Sequence, residues 1–498
     1  MEGEWVGVFS KGLGLIYFIA SFGLFLYGLN CYVMVALFQW RRRGERASLQ
    51  SVRERVGDLM QRADAPRITT QIACYNEFNV AERCIRSVTA MRYPAGRHEV
   101  QVVDDSTDET RELVDRVAAE LRSAGHDIKV VRREHRQGYK AGALDHALRQ
   151  ASGEFIAVFD ADFVPPEDYL LRTVPFFIAD PRVGMVQARW GHLNRGYSLL
   201  TTAQSVGIDG HFVIEQSARN RNGLFMNFNG TAGLWRRQAI EDGGGWAWDT
   251  LTEDMDLSYR VQLAGWKTTY VPDVVVPAEI PEDVRAFKSQ QFRWAKGSIQ
   301  TARKVLPVLL RSNASVFKKV QAIFHLTHYM VHPMMLSLAV LALPVLLLNG
   351  DLRIAPGVFA ALSVALSFSM FAPSLLYIVS QQAVYADWKR RVLFLPLLIV
   401  IGVGIALSNS RGVMEALLGH ESGFVRTPKK GDKEVKRYTV PVPVLAYAEI
   451  ALGLYCAASL AVYMLAGRLA VSPFMAIYAA GFLYIGSLTI AHTRGARA

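Results

Sequence analysis

Long uncharged segments at both ends of the chain constrain its fold more than any other feature. Leu13 to Phe38 is almost free of charge, and four arginines follow it between residues 41 and 46. A helix of that length crosses the ~30 Å hydrocarbon core of a bilayer. Because the basic cluster follows the apolar run, a cleaved signal peptide is disfavoured. The length of the apolar run therefore predicts one transmembrane helix within residues 1–40. The positive-inside bias predicts that its N-terminus lies outside.

Four further apolar stretches predict transmembrane helices at roughly 327–349, 354–380, 443–466 and 471–491. Val392 to Leu407 is also apolar, but it is shorter and contains Pro396. If it crossed the bilayer, the basic loop 408–439 would lie outside, against the positive-inside bias. We therefore interpret 392–419 as interfacial or re-entrant and expect five spans in all.

Between the apolar ends, short apolar runs alternate with amphipathic stretches. Strands are predicted at 68–73, 100–103, 129–132 and 155–159, and helices at 80–91, 110–121 and 140–151. Such alternation predicts a mainly parallel, doubly wound α/β sheet, in which ligands bind beyond the carboxyl ends of the strands. The chain should therefore divide into an N-terminal span (1–40), an α/β domain (41–300), an interfacial helix with two spans (301–391), an interfacial or re-entrant helix with a loop (392–442), and two spans with a tail (443–498).

The net charge of +11 comes from 55 basic and 44 acidic residues. Much of the excess lies beside the predicted spans, where anionic headgroups attract it, so no nucleic-acid partner is expected. The four cysteines show no metal-site spacing, and those of the α/β domain should be reduced thiols.

Two aspartates end the fourth predicted strand. Asp160 and Asp162 stand two residues apart, so both carboxylates should point the same way. They could share one hard cation whose other ligands are diphosphate oxygens and water. The alternative is that they cap the following turn, which contains Pro165 and Pro166.

Polar residues at other strand ends could bind a nucleotide. Asp104 and Asp105 follow the second strand and could accept hydrogen bonds from a base or ribose, although capping of the next helix is an alternative. Tyr75 and Glu77 follow the first strand, where the aromatic ring could stack on a nucleobase. Lys140, at the opening of a helix, could bind an anion or be a surface lysine.

Two later signatures could bind or activate an acceptor molecule to which a sugar is transferred. Glu253 and Asp254 begin a predicted helix, where N-capping and general-base catalysis are compatible interpretations; Asp254 is the preferred base and Glu253 the fallback. Gln290, Arg293 and Trp294 share roughly one helical face. The indole could stack on a sugar ring while the other two hold hydroxyls or a diphosphate, or the set could be an interfacial aromatic with a snorkelling arginine.

Three histidines, His325, His328 and His332, also fall along one helix face. They could be a metal set, but polar contacts between helices are the favoured interpretation.

As a set, these stretches resemble a known family: VVDDSTD, GYKAGAL, FDADF, VQARW, NGTAGLWRR, TEDMDLSYR and QQFRW. They are similar to the cellulose-synthase-like branch of family 2 glycosyltransferases, and most similar in wording to plant mannan, glucomannan and xyloglucan-backbone glucan synthases. The resemblance covers about 68–300 and implies a GT-A fold with an inverting single displacement.

The resemblance also implies residue roles. Asp105 with Asp104 would contact the nucleotide, Asp160 and Asp162 would bind Mg²⁺ or Mn²⁺, and Asp254 would be the catalytic base. Binding of the acceptor end and the diphosphate would fall to Gln290, Arg293 and Trp294. Phe424, Thr427 and Lys429 resemble the gating loop of bacterial cellulose synthase, where such residues contact the nucleotide. Arg426 stands where that loop usually has valine.

The hypothesis that results is a multi-pass protein of the cell inner membrane with a cytoplasmic catalytic domain. It would add β-linked glucose or mannose, from UDP-glucose or GDP-mannose, to a growing polysaccharide coupled to export. One alternative keeps this chemistry and uses a lipid acceptor. The other is a transporter or channel with a nucleotide-binding domain, against which the few spans and the lack of a half-repeat argue.

Overall fold

The structure, a computed structural model, describes residues 2–40, 44–60, 64–348, 356–420, 443–467, 469 and 471–495. Its strands are β1 Ile68–Cys74, β2 His98–Asp104, β3 Ile128–Val131, β4 Phe155–Asp160, β5 Val183–His192, β6 Gly233–Arg236 and β7 Lys267–Ala278. Its α-helices are α1 Glu2–Trp40, α2 Glu45–Met60, α3 Ala81–Thr89, α4 Thr110–Ser123, α5 Tyr139–Leu148, α6 Tyr169–Thr173, α7 Pro175–Ala179, α8 Leu199–Asp209, α9 Ser217–Arg221, α10 Arg237–Asp242, α11 Glu253–Leu263, α12 Val284–Arg311, α13 Val316–Leu326, α14 Val331–Leu347, α15 Pro356–Val384, α16 Trp388–Arg391, α17 Leu395–Gly404, α18 Ala406–Leu417, α19 Val444–Leu465 and α20 Ser472–Gly495. A π-helix covers Gly210–Gln216, and 3₁₀ turns cover Arg195–Tyr197, His328–Met330 and Val392–Phe394.

The seven strands form one mixed sheet in the order β3-β2-β1-β4-β6-β5-β7. Strands β1 to β4 are parallel to one another, β5 and β7 are parallel to each other, and β6 is antiparallel to β4 and β5. Helices cover both faces: α3 and α4 pack in one apolar cluster, and α5, α10 and α11 in another. The predicted mainly parallel α/β fold is confirmed.

The register of the sheet decides where the polar strand ends meet. Cys74 is opposite Asp104 on one side of β1, and Ala73 is opposite Asp160 on the other. Because the three strands are parallel, their carboxyl ends lie at one edge of the sheet. Predicted elements and observed ones agree to within three residues at each boundary here; β4, for example, ends at Asp160, one residue later than predicted.

Several helices at the ends of the chain are long and apolar enough to cross a membrane, judged by length and composition: Lys11–Trp40, His328–Leu347, Val444–Leu465 and Ser472–Thr493. They coincide with four predicted spans. The remaining predicted span, 354–380, coincides with α15, which packs along α1 so closely that Gly28 lies against Ser369. In the segment predicted to be interfacial or re-entrant, α17 and α18 are bent by 44° at their junction, the geometry of a broken span or a re-entrant segment.

Candidate active site

Asp104 and Asp105, after β2, have different surroundings. The Asp104 carboxylate is buried and accepts hydrogen bonds from the Arg132 guanidinium, at 2.8 Å, and from the amide of Ser106, at 3.0 Å. The Asp105 carboxylate pairs with Arg133, with Nη2 to Oδ2 at 2.6 Å and Nε to Oδ1 at 2.9 Å. Asp104 therefore holds the turn after β2, whereas the largely buried Asp105 carboxylate lies between Arg133 and Arg136, which follow β3.

The Tyr75 ring, which is expected to stack on a nucleobase, is stacked against an arginine in this structure. The guanidinium carbon of Arg136 lies 3.4 Å from the centre of the Tyr75 ring and 5.0 Å from that of Tyr139. Glu77 lies beside them, and its carbonyl accepts the amides that begin α3. Sequence reasoning missed Arg133 and Arg136, although the signal was present: a basic run directly after the third parallel strand, at the same edge as Asp105.

Lys140, from the first turn of α5, reaches the end of β4. Its ammonium donates to the Asp160 carboxylate and to the carbonyl of Gly230, the latter at 2.8 Å. The Asp160 amide donates to the Thr231 hydroxyl at 2.9 Å, so the loop before β6 supports both residues. Burial lowers the pKa of Lys140, but Asp160 and Glu253 outweigh it and raise the pKa above its ordinary value. Asp162, two residues after Asp160, is buried.

Glu253 and Asp254, at the start of α11, face the same loop. A Cβ at Gly230, which has a φ of +79°, would come within 3.1 Å of the Asp254 carboxylate, so this close approach requires glycine. Burial, and then the neighbouring charge of Glu253, raise the pKa of Asp254 to about 7. Burial also raises the pKa of Glu253, although Lys140 opposes it. A carboxylate with such a pKa can accept a proton near neutral pH.

Helix α12 carries Gln290, Arg293 and Trp294, and it brings the Arg293 guanidinium to these carboxylates. Burial lowers the pKa of Arg293, while the charges of Glu253, Asp160 and Asp254 oppose this. The guanidinium therefore faces the same acidic group as Lys140 does. Trp294 packs beside Tyr329 and α18, and Gln290 lies one turn earlier on the half-buried face of α12.

Two buried ion pairs fix α12 against helices of the C-terminal region. Lys288 donates to Glu449 of α19 at 2.6 and 2.8 Å, and Lys296 donates to Glu415 of α18 at 2.8 Å. The Q-x-x-R-W segment lies between these anchors. Neither pair could be predicted from the sequence, because the partners are more than a hundred residues apart.

The remaining predicted residues have different outcomes. Phe424, Thr427 and Lys429 lie outside the described residues. His325 contacts Tyr259 and Asn227, and His332 contacts Asn409, so the prediction of polar contacts between helices is confirmed for both. Within the described part of the chain, no group of three or more His, Cys, Asp or Glu side chains could by itself hold a metal ion.

Comparison with known proteins gives relatives of the α/β domain. Residues 66–297 match the model of the glycosyltransferase like family 2. The chain is 43% identical over 264 residues to a probable glucomannan 4-beta-mannosyltransferase 1 of Arabidopsis thaliana, which covers 52% of this chain and 48% of the relative. It is 38% identical over 297 residues to glucomannan 4-beta-mannosyltransferase 2 of the same plant, covering 59% and 55%. The chain thus spans about half the length of these relatives.

Among solved structures, the chain is similar to the mannosyltransferase PcManGT from Pyrobaculum calidifontis in complex with GDP-Man and Mn²⁺. The TM-score is 0.48 and the identity 21%, over 78% of this chain and all of that one.

The sheet and the acidic edge both lie within residues 66–297, the part of the chain that matches the model of the glycosyltransferase like family 2. Within it, the domain is similar in particular to the glucomannan 4-beta-mannosyltransferases of the cellulose-synthase-like branch, as the motifs predicted.

Proposed function

We propose that this protein transfers a β-linked hexose from a nucleotide-diphosphate sugar to the end of a growing polysaccharide. One observation carries the proposal: Asp254, with a pKa raised to about 7, lies in one acidic group with Glu253 and Asp160, faced by Lys140 and Arg293. A base, two cations for a diphosphate and carboxylates for a metal are the groups that a single displacement needs.

In this proposal, the Asp254 carboxylate accepts the proton of the acceptor hydroxyl as that oxygen attacks the anomeric carbon. Glu253 keeps the pKa of Asp254 high and is the fallback base. Lys140 and Arg293 hold the diphosphate and offset the charge that develops on it. Because one displacement inverts the anomeric centre, an α-linked donor gives a β-linked product.

Nucleotide binding is assigned to the edge beyond β1 and β2. Tyr75, once Arg136 moves from its ring, offers a face for the nucleobase, and base stacking is worth roughly 1–3 kcal/mol. Asp105 with its arginines is proposed to contact the ribose or base. Asp104 supports it through the turn, and Glu77 orders the loop after β1. Gln290 and Trp294 are proposed to hold the acceptor end.

A divalent cation, Mg²⁺ or Mn²⁺, is proposed to bind at Asp160 and Asp162, because hard carboxylate oxygens suit either ion. The chemistry of the residues fits: Asp160 already pairs with a cation, the ammonium of Lys140. Two carboxylates leave further ligand positions for diphosphate oxygens. When bound, the ion would stabilise the charge of the leaving diphosphate.

The apolar helices support a multi-pass membrane protein, for which we propose the cell inner membrane with the catalytic domain on the cytoplasmic side. The positive-inside bias of the arginines after α1 favours that orientation. The anchoring of α12 on α18 and α19 would then place the acceptor residues beside the membrane helices, where a polymer could be exported.

The names of the relatives favour mannose as the sugar and the 4-position as the linkage. The experiment is turnover of detergent-purified protein with GDP-mannose, UDP-glucose and other nucleotide hexoses in the presence of Mg²⁺ or Mn²⁺, with Asp254→Asn as the blank. Release of nucleoside diphosphate above that blank supports the proposal, and its absence with every donor would refute it. An insoluble product degraded by mannanase or endoglucanase indicates a polysaccharide, whereas a chloroform-soluble product indicates the lipid acceptor.

A further inference from the structure

We propose that His211, on the π-helix Gly210–Gln216, is a positioning residue for transfer: its neutral ring holds Asn229, and through it the loop that supports Asp160 and Lys140. The inference rests on the proposed function and adds a residue that no motif of the family match singled out. It follows from a chain of hydrogen bonds whose directions are forced.

This series of hydrogen bonds starts at a backbone carbonyl, which can only accept a hydrogen bond. The Gln216 side-chain amide donates to the Asn227 carbonyl at 2.8 Å and to Asn229 Oδ1 at 2.6 Å. Asn229 must then present Nδ2, a donor, to His211 Nε2 at 3.0 Å. His211 Nε2 must therefore accept, so its proton lies on Nδ1, which donates to Glu215 at 2.9 Å.

Asn229 begins the loop that supports the catalytic groups. Its neighbour Gly230 accepts from Lys140 and lies against Asp254, and Thr231 accepts from the Asp160 amide. Gln187 of β5 holds the same loop from behind: it accepts from the Asn229 amide and donates to the carbonyls of Thr231 and Ala232. A shift of Asn229 would therefore move the surroundings of both the diphosphate-binding lysine and the base.

Protonation of His211 conflicts with this arrangement. With protons on both ring nitrogens, Nε2–H would face the Asn229 amide group, donor against donor. Rotating the Asn229 amide would only move the conflict to Gln216, whose own orientation is fixed by the Asn227 carbonyl. The ordered loop therefore requires a neutral His211.

Several titratable and charged groups surround the His211 imidazole and the Glu215 carboxylate. Those that face His211 or its partner are Glu215, Arg219, His325, His328, Tyr329, Tyr377 and Cys31. Burial raises the pKa of Glu215, but the hydrogen bond from His211 outweighs it and holds the pKa below its ordinary value. The ionised Glu215 attracts a proton to His211, while Arg219 and the Asn229 amide oppose it.

The test compares wild type, His211→Gln, His211→Ala and Glu215→Gln, with the exposed His126→Gln as the matched control. Glutamine offers an amide oxygen in place of Nε2 and does not titrate. The affinity for Mn²⁺ with nucleoside diphosphate, and kcat and KM where there is turnover, are measured from pH 5.5 to 8. Each variant is compared with wild type at the same pH. The titration of Asp254 and of the diphosphate affects both proteins equally, so it does not change the ratio.

We expect His211→Gln to match wild type at pH 8 and to exceed it at least about fivefold at pH 5.5, since acid adds a proton to the wild-type imidazole and breaks the hydrogen bond that its Nε2 accepts from Asn229. His211→Ala should lose about 10–100-fold in kcat at pH 8, as for removal of a supporting partner. Glu215→Gln should move the acidic loss to lower pH, and His126→Gln should leave every ratio near one.

A His211→Gln ratio that is the same at pH 5.5 and pH 8, or a His211→Ala variant equal to wild type, would overturn the inference. If wild type has no turnover with any donor, the proposed function fails separately, and the pH dependence of the binding ratios still decides the role of His211.

Discussion

Gly297 of α12 lies directly against Thr252, the residue that precedes α11. A Cβ at position 297 would meet the Thr252 side chain at 2.6 Å and its backbone nitrogen at 2.9 Å. Only a residue without a side chain allows the two helices to approach so closely. The contact places Arg293, one turn earlier on α12, opposite Glu253 and Asp254. One glycine therefore sets the distance between the acceptor-side helix and the proposed base.

Gly297→Ala should push α12 away from α11 and reduce kcat/KM by about 100-fold, because a displacement near 1 Å in a catalytic constellation has effects of that size. The measurement is turnover beside thermal unfolding. Gly57→Ala is the matched control: Gly57 is also helical, but nothing lies within 4 Å of its added Cβ. Full activity in a folded Gly297→Ala protein would contradict this role.

The raised pKa of Asp254 predicts opposite pH effects on activity and stability. Since burial and Glu253 raise this pKa from 3.8 to about 7, the folded protein keeps a proton that the unfolded chain has released between these values. Stability conferred by Asp254 should therefore fall as the pH rises from about 4 to 7. Activity should rise over the upper part of the same range, because only the ionised carboxylate can accept the acceptor proton.

Asp254→Asn should consequently lower kcat by about 10²–10⁴-fold, the usual contribution of a general base. It should also raise the midpoint of thermal unfolding at pH 8, with little effect at pH 4. The exposed Asp64→Asn is the control and should change neither quantity. An Asp254→Asn protein that is less stable than wild type at pH 8 would show that burial of the ionised carboxylate does not destabilise the folded protein.

The pair of Lys140 and Asp160 predicts how metal binding depends on nucleotide. In the free protein the ammonium occupies one of the two proposed metal-binding carboxylates. Lys140→Gln should therefore bind Mn²⁺ more tightly than wild type without nucleotide, and bind Mn²⁺ with nucleoside diphosphate more weakly, because a diphosphate contact is lost. Electron paramagnetic resonance of free Mn²⁺ measures both.

The control for that experiment is Lys267→Gln, which removes an exposed ammonium paired with Asp180. It should affect neither affinity. Mn²⁺ affinity that is equal in wild type and Lys140→Gln under both conditions would separate Lys140 from the metal site.

The buried pair of Lys288 and Glu449 predicts a strong, recoverable effect on stability. Glu449→Gln leaves the Lys288 ammonium without its counter-charge and should destabilise the protein by about 3–5 kcal/mol. Lys288→Met combined with Glu449→Leu should recover most of that loss, since an apolar pair removes both charges. Unfolding in detergent measures the series, with the exposed pair broken by Lys267→Gln expected to cost under about 1 kcal/mol. Equal losses in the single and double variants would contradict the role of the ion pair.

The sequence predicted much of the edge of the sheet but little of its environment. Asp104 and Asp160 end parallel strands, so period and topology alone placed them together. Local motifs indicate Lys140 and Asp254 as site residues, and the structure brings both to Gly230. The pairing of Tyr75 with Arg136, the approach of Gly297 to Thr252, and the His211 chain depend on side chains from distant segments. No local periodicity encodes such contacts, because they arise only when the π-helix and α12 pack.

The anomeric configuration of the newly formed bond tests the proposed chemistry most directly. It is read by NMR from product made with ¹³C-labelled, α-linked nucleotide mannose or glucose, using wild type and Asp254→Asn. We predict a β-linked product from wild type and at most a trace from the variant. An α-linked product, or unchanged formation of product by Asp254→Asn, would contradict a single displacement with Asp254 as its base.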